Sequence, residues 1–250
     1  MRHIPFIRKI INFLYNQGIQ ITSRALQNTI SLQSRLTGKS APVIFDIGAH
    51  TGCLAKLYRK QNPKAFIYCF EPYPEAFSIL QKRFDADPLT VCHKIALSDC
   101  NGSTRLNVNL HTGTNSILDA DPEGENYWGQ GLLKTVSSIV VDTITLDNFC
   151  SDAGIKGIDI LKIDVQGTEL NVLAGAQKML QNHEISLVYL ELIICPTYKG
   201  QHKLHEYFSF FDSYGYELLN LFNHERRGNQ LVQADAVFLS SSFKKTISAL

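Results

Sequence analysis

The sequence predicts an α/β fold: a mostly parallel, seven-stranded sheet with helices on both faces and a C-terminal antiparallel hairpin. Three observations carry this expectation. From Pro42 onward, short apolar runs alternate with segments of helical periodicity, the pattern of β-α-β units. GIDILKID is apolar enough to be buried on both faces, as strands of parallel sheets are. YELLNLF and ADAVFLS are separated by a short charged loop, so they can pair directly as a hairpin.

Taken in order, VIFDIG reads as the first strand, and Leu54, Leu57 and Tyr58 follow at helical spacing with Thr51 placed to cap their helix. FIYCF is the second strand. Pro74 then sits where a first helical turn tolerates it, ahead of Phe77, Leu80 and Phe84 on one face. TVCHKIAL reads as a single third strand. The stretch from Asn101 to Gln130 is irregular, mixing a candidate strand, STRLNVNL, with a polar loop, DPEGENYWGQG, that holds the only tryptophan. VSSIVV and a helical run beginning LDNF lead to the fourth strand, GIDILKID. TELNVLAGAQKML predicts one helix with Leu170, Leu173, Ala176 and Leu180 on one face. ISLVYLEL is the fifth strand, and a helix around HEYFSFFDSYG precedes the hairpin.

Composition sets the class. With 250 residues, 44% apolar and 19% charged, the chain has the make-up of a soluble globular protein with one sizeable core. A net charge of +1 argues against a nucleic-acid partner, whose footprint would be strongly basic. Residues 41–250 are expected to form one domain and residues 1–40 a basic, helical arm, because Arg2, Arg8, Lys9, Arg24, Arg35 and Lys39 all precede the first acid, Asp46. The favoured reading of that arm is a helix packing its Ile and Phe face on the domain. An organelle presequence and a membrane-surface helix compete with it, whereas Arg8 and Lys9 break up any secretory core. The six cysteines form no CxxC pair and match no zinc spacing, so they read as reduced thiols, and no metal site is expected. The expected location is cytoplasmic, with peripheral membrane contact through the arm left open. The sequence does not set an oligomeric state.

Three motifs carry chemistry. DIGAHTG, Asp46 to Gly52, sits at a strand-to-helix turn where an open α/β sheet binds nucleotides. Its G-x-x-x-G spacing lacks both the three-glycine dinucleotide pattern and the P-loop lysine. Glycine in such a turn also has a purely steric explanation. Glu71, in FEPYP, stands at the end of the second strand, 19 residues after Gly52, where an acid can accept hydrogen bonds from ribose hydroxyls. Alone it would be a solvated carboxylate; paired with the glycine turn it is a cofactor residue. In LKIDVQGTEL, Asp164 ends the fourth strand and Glu169 lies on the following helix, while Glu191 ends the fifth strand. Carboxyl ends of parallel strands converge on the ligand crevice, although each of these acids also suits a helix terminus.

Together DIGAHTG, FEPYP, the IALSD of residues 95–99, TLDNF and LKIDVQGTELNVLAGA resemble the FkbM-type methyltransferases, from about Val43 to Leu239. The resemblance implies a class I Rossmann-like fold that uses S-adenosylmethionine (SAM). It implies O-methylation of a hydroxyl on a sugar, glycolipid or polyketide-type small molecule. It also implies that Asp46, Gly48, Gly52 and Glu71 line the cofactor site, with Ser98 or Asp99 near the adenine. His50 and Asp164 join them as cofactor contacts. Family members often carry Glu where this chain has Gln166, which weakens any mechanism needing a carboxylate there.

A hydroxyl acceptor benefits from a general base. The candidates are Asp164, His50, Glu169 and Glu191, with His111 added if its loop folds over the site. Trp128 and Tyr127 are candidates for stacking on a sugar face, or for packing their own loop down. Two rival functions are a nicotinamide-dependent Rossmann oxidoreductase, disfavoured by the missing three-glycine fingerprint, and a sugar- or lipid-binding module without catalysis.

Overall fold

The computed structural model describes residues 24–129 and 131–248. The seven-stranded sheet has the order β3-β2-β1-β7-β8-β10-β9, built from β1 (Val43–Ile47), β2 (Phe66–Phe70), β3 (Thr90–His93), β7 (Ile158–Ile163), β8 (Ile185–Ile193), β9 (Tyr216–Arg227) and β10 (Gln230–Ser240). All neighbours are parallel except β10, which runs antiparallel to both β8 and β9 and supplies the expected hairpin. The chain steps outward from β1 to β3 and then returns to place β7 on the other side of β1. That reversal opens a crevice beyond the carboxyl ends of β1 and β7, where ligands of such sheets bind.

Strand alternation feeds two cores. Ile44, Ile67, Ile160, Leu187 and Val237 pack beneath α1 (Arg24–Thr37), α2 (Cys53–Gln61) and α3 (Pro74–Phe84). Phe45, Leu161 and Val188 face α5 (Leu146–Ala153), α6 (Glu169–Ala174), α7 (Gln177–Gln181) and α8 (Leu204–Ser213). Helix α1 is docked by buried Ile30 and by Gln33, which accepts a 2.6 Å hydrogen bond from the buried Tyr58 hydroxyl. Lys39 pairs with Asp159 at 2.7 Å. The roles expected for Arg2, Arg8 and Lys9 lie outside the described residues. Among the described residues no helix is long and apolar enough to cross a membrane, and none of the six cysteines is in a disulfide.

Four local expectations are corrected. TVCHKIAL is two strands: β3 joins the main sheet, whereas β4 (Ala96–Leu97) pairs with β6 (Thr135–Ile144). The irregular stretch is more ordered than expected: its candidate strand is present as β5 (Gly102–Asn109), which joins β6 and β4 in a second sheet of order β4-β6-β5. It is followed by a short 3-10 turn, Thr112–Thr114, and α4 (Gly124–Trp128). The single helix expected after the fourth strand breaks into α6 and α7 around Gly175. A side chain there would meet the Ser98 carbonyl at 2.1 Å, so the break lets the IALSD segment pack against the helix end. Leu170, Leu173, Ala176 and Leu180 are still buried. Thr51 does not cap α2; Gly52 does, at φ 78°.

Candidate active site

At the end of β1 the chain turns over the end of β2. Gly48 and Ala49 both donate to the Phe70 carbonyl at 3.0 Å. Gly48 has φ 70°, and a Cβ there would lie 1.8 Å from the Asp164 carbonyl oxygen, so the turn can sit against β7 only with glycine. His50 follows at φ 49° and donates its backbone N–H to Glu71 Oε2 at 2.8 Å; Glu71 Oε1 accepts from Tyr73 N at 2.8 Å. Burial pushes Glu71 up to about 7, against the opposing pull of those two hydrogen bonds and of Lys162.

Glu71 edges a cavity with an apolar slot formed by Phe70, Ile95, Leu97, Leu106 and Val165, and with Ser98 and Gly48 on its wall. The second sheet closes it: Thr104, Leu106 and Thr143 come from β5 and β6, and Thr112 and Gly113 from the turn after β5. An apolar lining beside a carboxylate suits an adenosine, with the base on the apolar residues and the ribose hydroxyls toward Glu71.

A second cavity lies across the wall formed by Gly48, His50 and Asp164, which line both. Its other groups include Lys162, Tyr189, Glu191, Asn223, Gln233 and Asp235. Asp235 accepts from the Tyr189 hydroxyl and, at 2.6 Å, from Asn223 Nδ2. Burial, then the nearby Asp164 and Asp235 carboxylates, push Glu191 well above the usual carboxylate range. Gln166 Nε2 donates to both Asp164 Oδ1 and Glu191 Oε2 at 2.8 Å. His50 Nε2 lies 2.9 Å from Thr112 Oγ1; burial first, then His111, Lys162 and Arg83, lower its ring to about 4.

Of the sequence-predicted residues, Gly48, His50, Glu71, Ser98, Asp164 and Glu191 therefore meet around one crevice. Four others do not. Gly52 faces α3, where a Cβ would press on Leu80 at 2.6 Å and Phe84 at 2.8 Å, so its glycine serves packing. Asp46 is fully buried behind the turn and pairs with Lys162 at 2.9 Å. Asp99 is exposed and turned toward Asn171, whose Nδ2 donates to it at 3.0 Å, leaving Ser98 as the cavity residue. Glu169 is fully buried and accepts from Val165 N, Gly167 N and the Tyr207 hydroxyl, so it shapes the loop after β7 and lines neither cavity. Trp128 packs its loop down, donating to Thr197 Oγ1 at 2.7 Å with the Arg227 guanidinium over its ring.

Sequence reasoning missed Lys162. Its ammonium pairs with Asp46 and donates to the Ile47 and Gly48 carbonyls at 3.1 and 2.9 Å, holding the turn from behind. Burial disfavours the charge, but Asp46 and Asp164 outweigh it and hold the ammonium above its ordinary range. The signal was present: a lysine within the otherwise apolar end of IDILKI must find a partner to be buried. Asp235 lies within ADAVFLS, where nothing in the spacing marks it for a site.

Residues 46–218 match the family described as Methyltransferase FkbM domain. The 2-O-methyltransferase NoeI of Sinorhizobium fredii is 30% identical over 197 residues, covering 75% of this chain and 77% of that protein. The hexuronic acid methyltransferase AglP of Haloferax volcanii is 26% identical over 155 residues, 62% of this chain and 58% of its own. The 31-O-demethyl-FK506 methyltransferase FkbM of Streptomyces tacrolimicus is 28% identical over 160 residues, 54% of this chain and 59% of its own. This chain thus spans less than two thirds of the length of the last two. Among solved structures, an rRNA methylase from Streptococcus thermophilus aligns with a TM-score of 0.51 at 10% identity, over 88% of this chain and 99% of that one, a likeness of fold alone.

Proposed function

This chain belongs to the FkbM methyltransferase family and uses SAM, and on that premise we propose that it methylates a hydroxyl oxygen of a polyhydroxylated small molecule, a sugar or glycolipid, with Asp164 as general base. The observation that carries this reading is the wall between the two cavities. Asp164 is the carboxylate on it, with its side chain 38% exposed, so it can touch groups on either side. The other titratable group there, His50, already has its Nε2 against Thr112 Oγ1 at 2.9 Å. Glu191 is held from reaction by the amides of Gln166 and Gln233.

In this reading Ile95, Leu97 and Ser98 hold the adenine, Glu71 the ribose, and Gly48 admits the remainder past the turn. When bound, SAM supplies a methyl on a sulfonium, an electrophilic carbon with a good leaving group. Asp164 orients the acceptor hydroxyl and takes its proton. Across the wall, Asn223, Gln233 and Asp235 offer the donors and acceptors a polyol needs. The 2-O-methyltransferase name of the Sinorhizobium relative supports an oxygen acceptor.

The test is transfer from methyl-labelled SAM to neutral sugars, glycolipids and polyketide alcohols, with the product identified. Label on a sugar oxygen is expected. Label on nitrogen or carbon, or SAM binding without transfer to any alcohol, overturns the proposal. The Asp164→Asn variant should lose turnover by about 10² or more while its SAM affinity changes by less than about tenfold.

A further inference from the structure

The residue linking the two acids of the crevice is a neutral amide, held from three sides. Gln166 has φ 59°, a left-handed conformation uncommon for a side-chain-bearing residue, and it sits between Val165 and Gly167 in the loop after β7. Its carbonyl accepts from Ser116 Oγ at 2.7 Å. Its side-chain oxygen accepts from the buried Tyr198 hydroxyl at 2.8 Å, a hydroxyl that also reaches the Thr114 carbonyl at 3.0 Å. Its side-chain nitrogen then points at Asp164 Oδ1 and Glu191 Oε2, 2.8 Å from each. This orientation sets the amide nitrogen against the Asp164 carboxylate, where the reverse would set its oxygen.

Both hydrogens of that nitrogen are therefore used, one on each acid. On Asp164 this leaves Oδ2, whose nearest cation is the Lys162 ammonium at 3.9 Å, beyond hydrogen-bond range. We propose that Gln166 is a positioning residue: it pins Asp164 Oδ1 and separates Asp164 from Glu191, so that Oδ2 is the oxygen that takes the acceptor proton. The inference rests on the reading of Asp164 as the base. A third carboxylate between Asp164 and Glu191 would repel both, favour their protonated forms and remove the donor that orients the base.

The decisive variant is Gln166→Glu, which keeps the shape and exchanges the donor for a like charge. Carboxyl-13C NMR titration of aspartate-labelled protein, with the Asp164 signal assigned by its loss in Asp164→Asn, should show the Asp164 transition moving up by about one unit or more. With an acceptor identified from the labelled-SAM panel, the acid limb of the kcat profile should move up by the same amount and KM should change less than kcat. Gln166→Met, which removes the donor without adding charge, should move both readouts in the same direction by less, and it carries the test if Gln166→Glu does not fold. An Asp164 titration and acid limb unchanged in the folded variants overturn the inference. If instead Asp164→Asn retains full turnover, the base assignment itself has failed. If Asp164→Asn is inactive while the Gln166 variants titrate as wild type, only the positioning role falls.

Discussion

The two cavities share a wall yet have opposite characters. The one edged by Glu71 is a mostly apolar slot whose carboxylates are Glu71 and the shared Asp164, closed over by the second sheet. The one edged by Asp235 is lined by acids, amides and a buried ammonium drawn from β7, β8, β9 and β10. The first suits a flat base recognised by shape, and the second suits a ligand recognised by many hydrogen bonds. The difference teaches that the wall residues must be judged by which side they serve, and a mutation on one side should leave binding on the other intact.

Lys162→Met removes the support common to both sides and should have the largest effect. Breaking a buried pair leaves Asp46 uncompensated, at a cost of about 3 to 5 kcal/mol, which calorimetry should read as a Tm lower by roughly 6 to 20 °C. A melting curve like that of wild type would mean that Asp46 does not need the ammonium.

Glu71→Ala should act on the first cavity alone, weakening SAM binding by about 10- to 150-fold in titration calorimetry while leaving acceptor KM in place. Its charge makes the same interaction pH-dependent. Because the folded group titrates near 7 and ribose hydroxyls favour its ionised form, SAM affinity should rise as pH increases through about 7 and then level off. Glu71→Gln should flatten that dependence. In the unliganded protein the sign is opposite. A raised folded pKa contributes stability fully present below the unfolded value and lost as pH rises through about 7.

Asp235→Asn tests the second cavity. Acceptor KM should rise about 2- to 10-fold, the range of one ordinary hydrogen bond, with SAM affinity unchanged. A loss of SAM affinity instead would place cofactor, not acceptor, against Asp235. The smallest effect is expected from Asp99→Ala, outside both cavities: less than about twofold in SAM affinity, as for an exposed substitution. A larger loss would return Asp99 to the adenine site.

Much of the crevice could be read from the chain because strand ends and turns are written locally. A glycine turn after one strand and an acid after the next lie within about 25 residues, and a parallel β-α-β unit sets them side by side. Gly48, Glu71 and Asp164 therefore arrive together. The same motif misleads where its residues face inward. Gly52 and Asp46 belong to DIGAHTG, yet one packs on α3 and the other is spent on Lys162. Glu169 and Glu191 look equivalent along the chain, and only the buried Tyr207 hydroxyl and the loop amides draw Glu169 away from the crevice.

By itself the sequence determined the type and order of the principal elements, the sheet class, the family likeness and the side of the sheet on which a ligand binds. Each of these follows from periodicity or spacing over a few tens of residues. Only the tertiary structure decided that VSSIVV and STRLNVNL form a second sheet roofing the first cavity, that one predicted helix breaks where Gly175 meets Ser98, and that Lys162 stands behind the turn. Those outcomes depend on register and burial between segments far apart in the chain: the bond from Lys162 to the Gly48 carbonyl spans 114 residues, and that from Gln166 to Tyr198 spans 32. A side chain's identity is local, but the group it must satisfy is chosen by packing, and that choice turned similar acids into a wall residue of the crevice, a loop brace and a buried counterion.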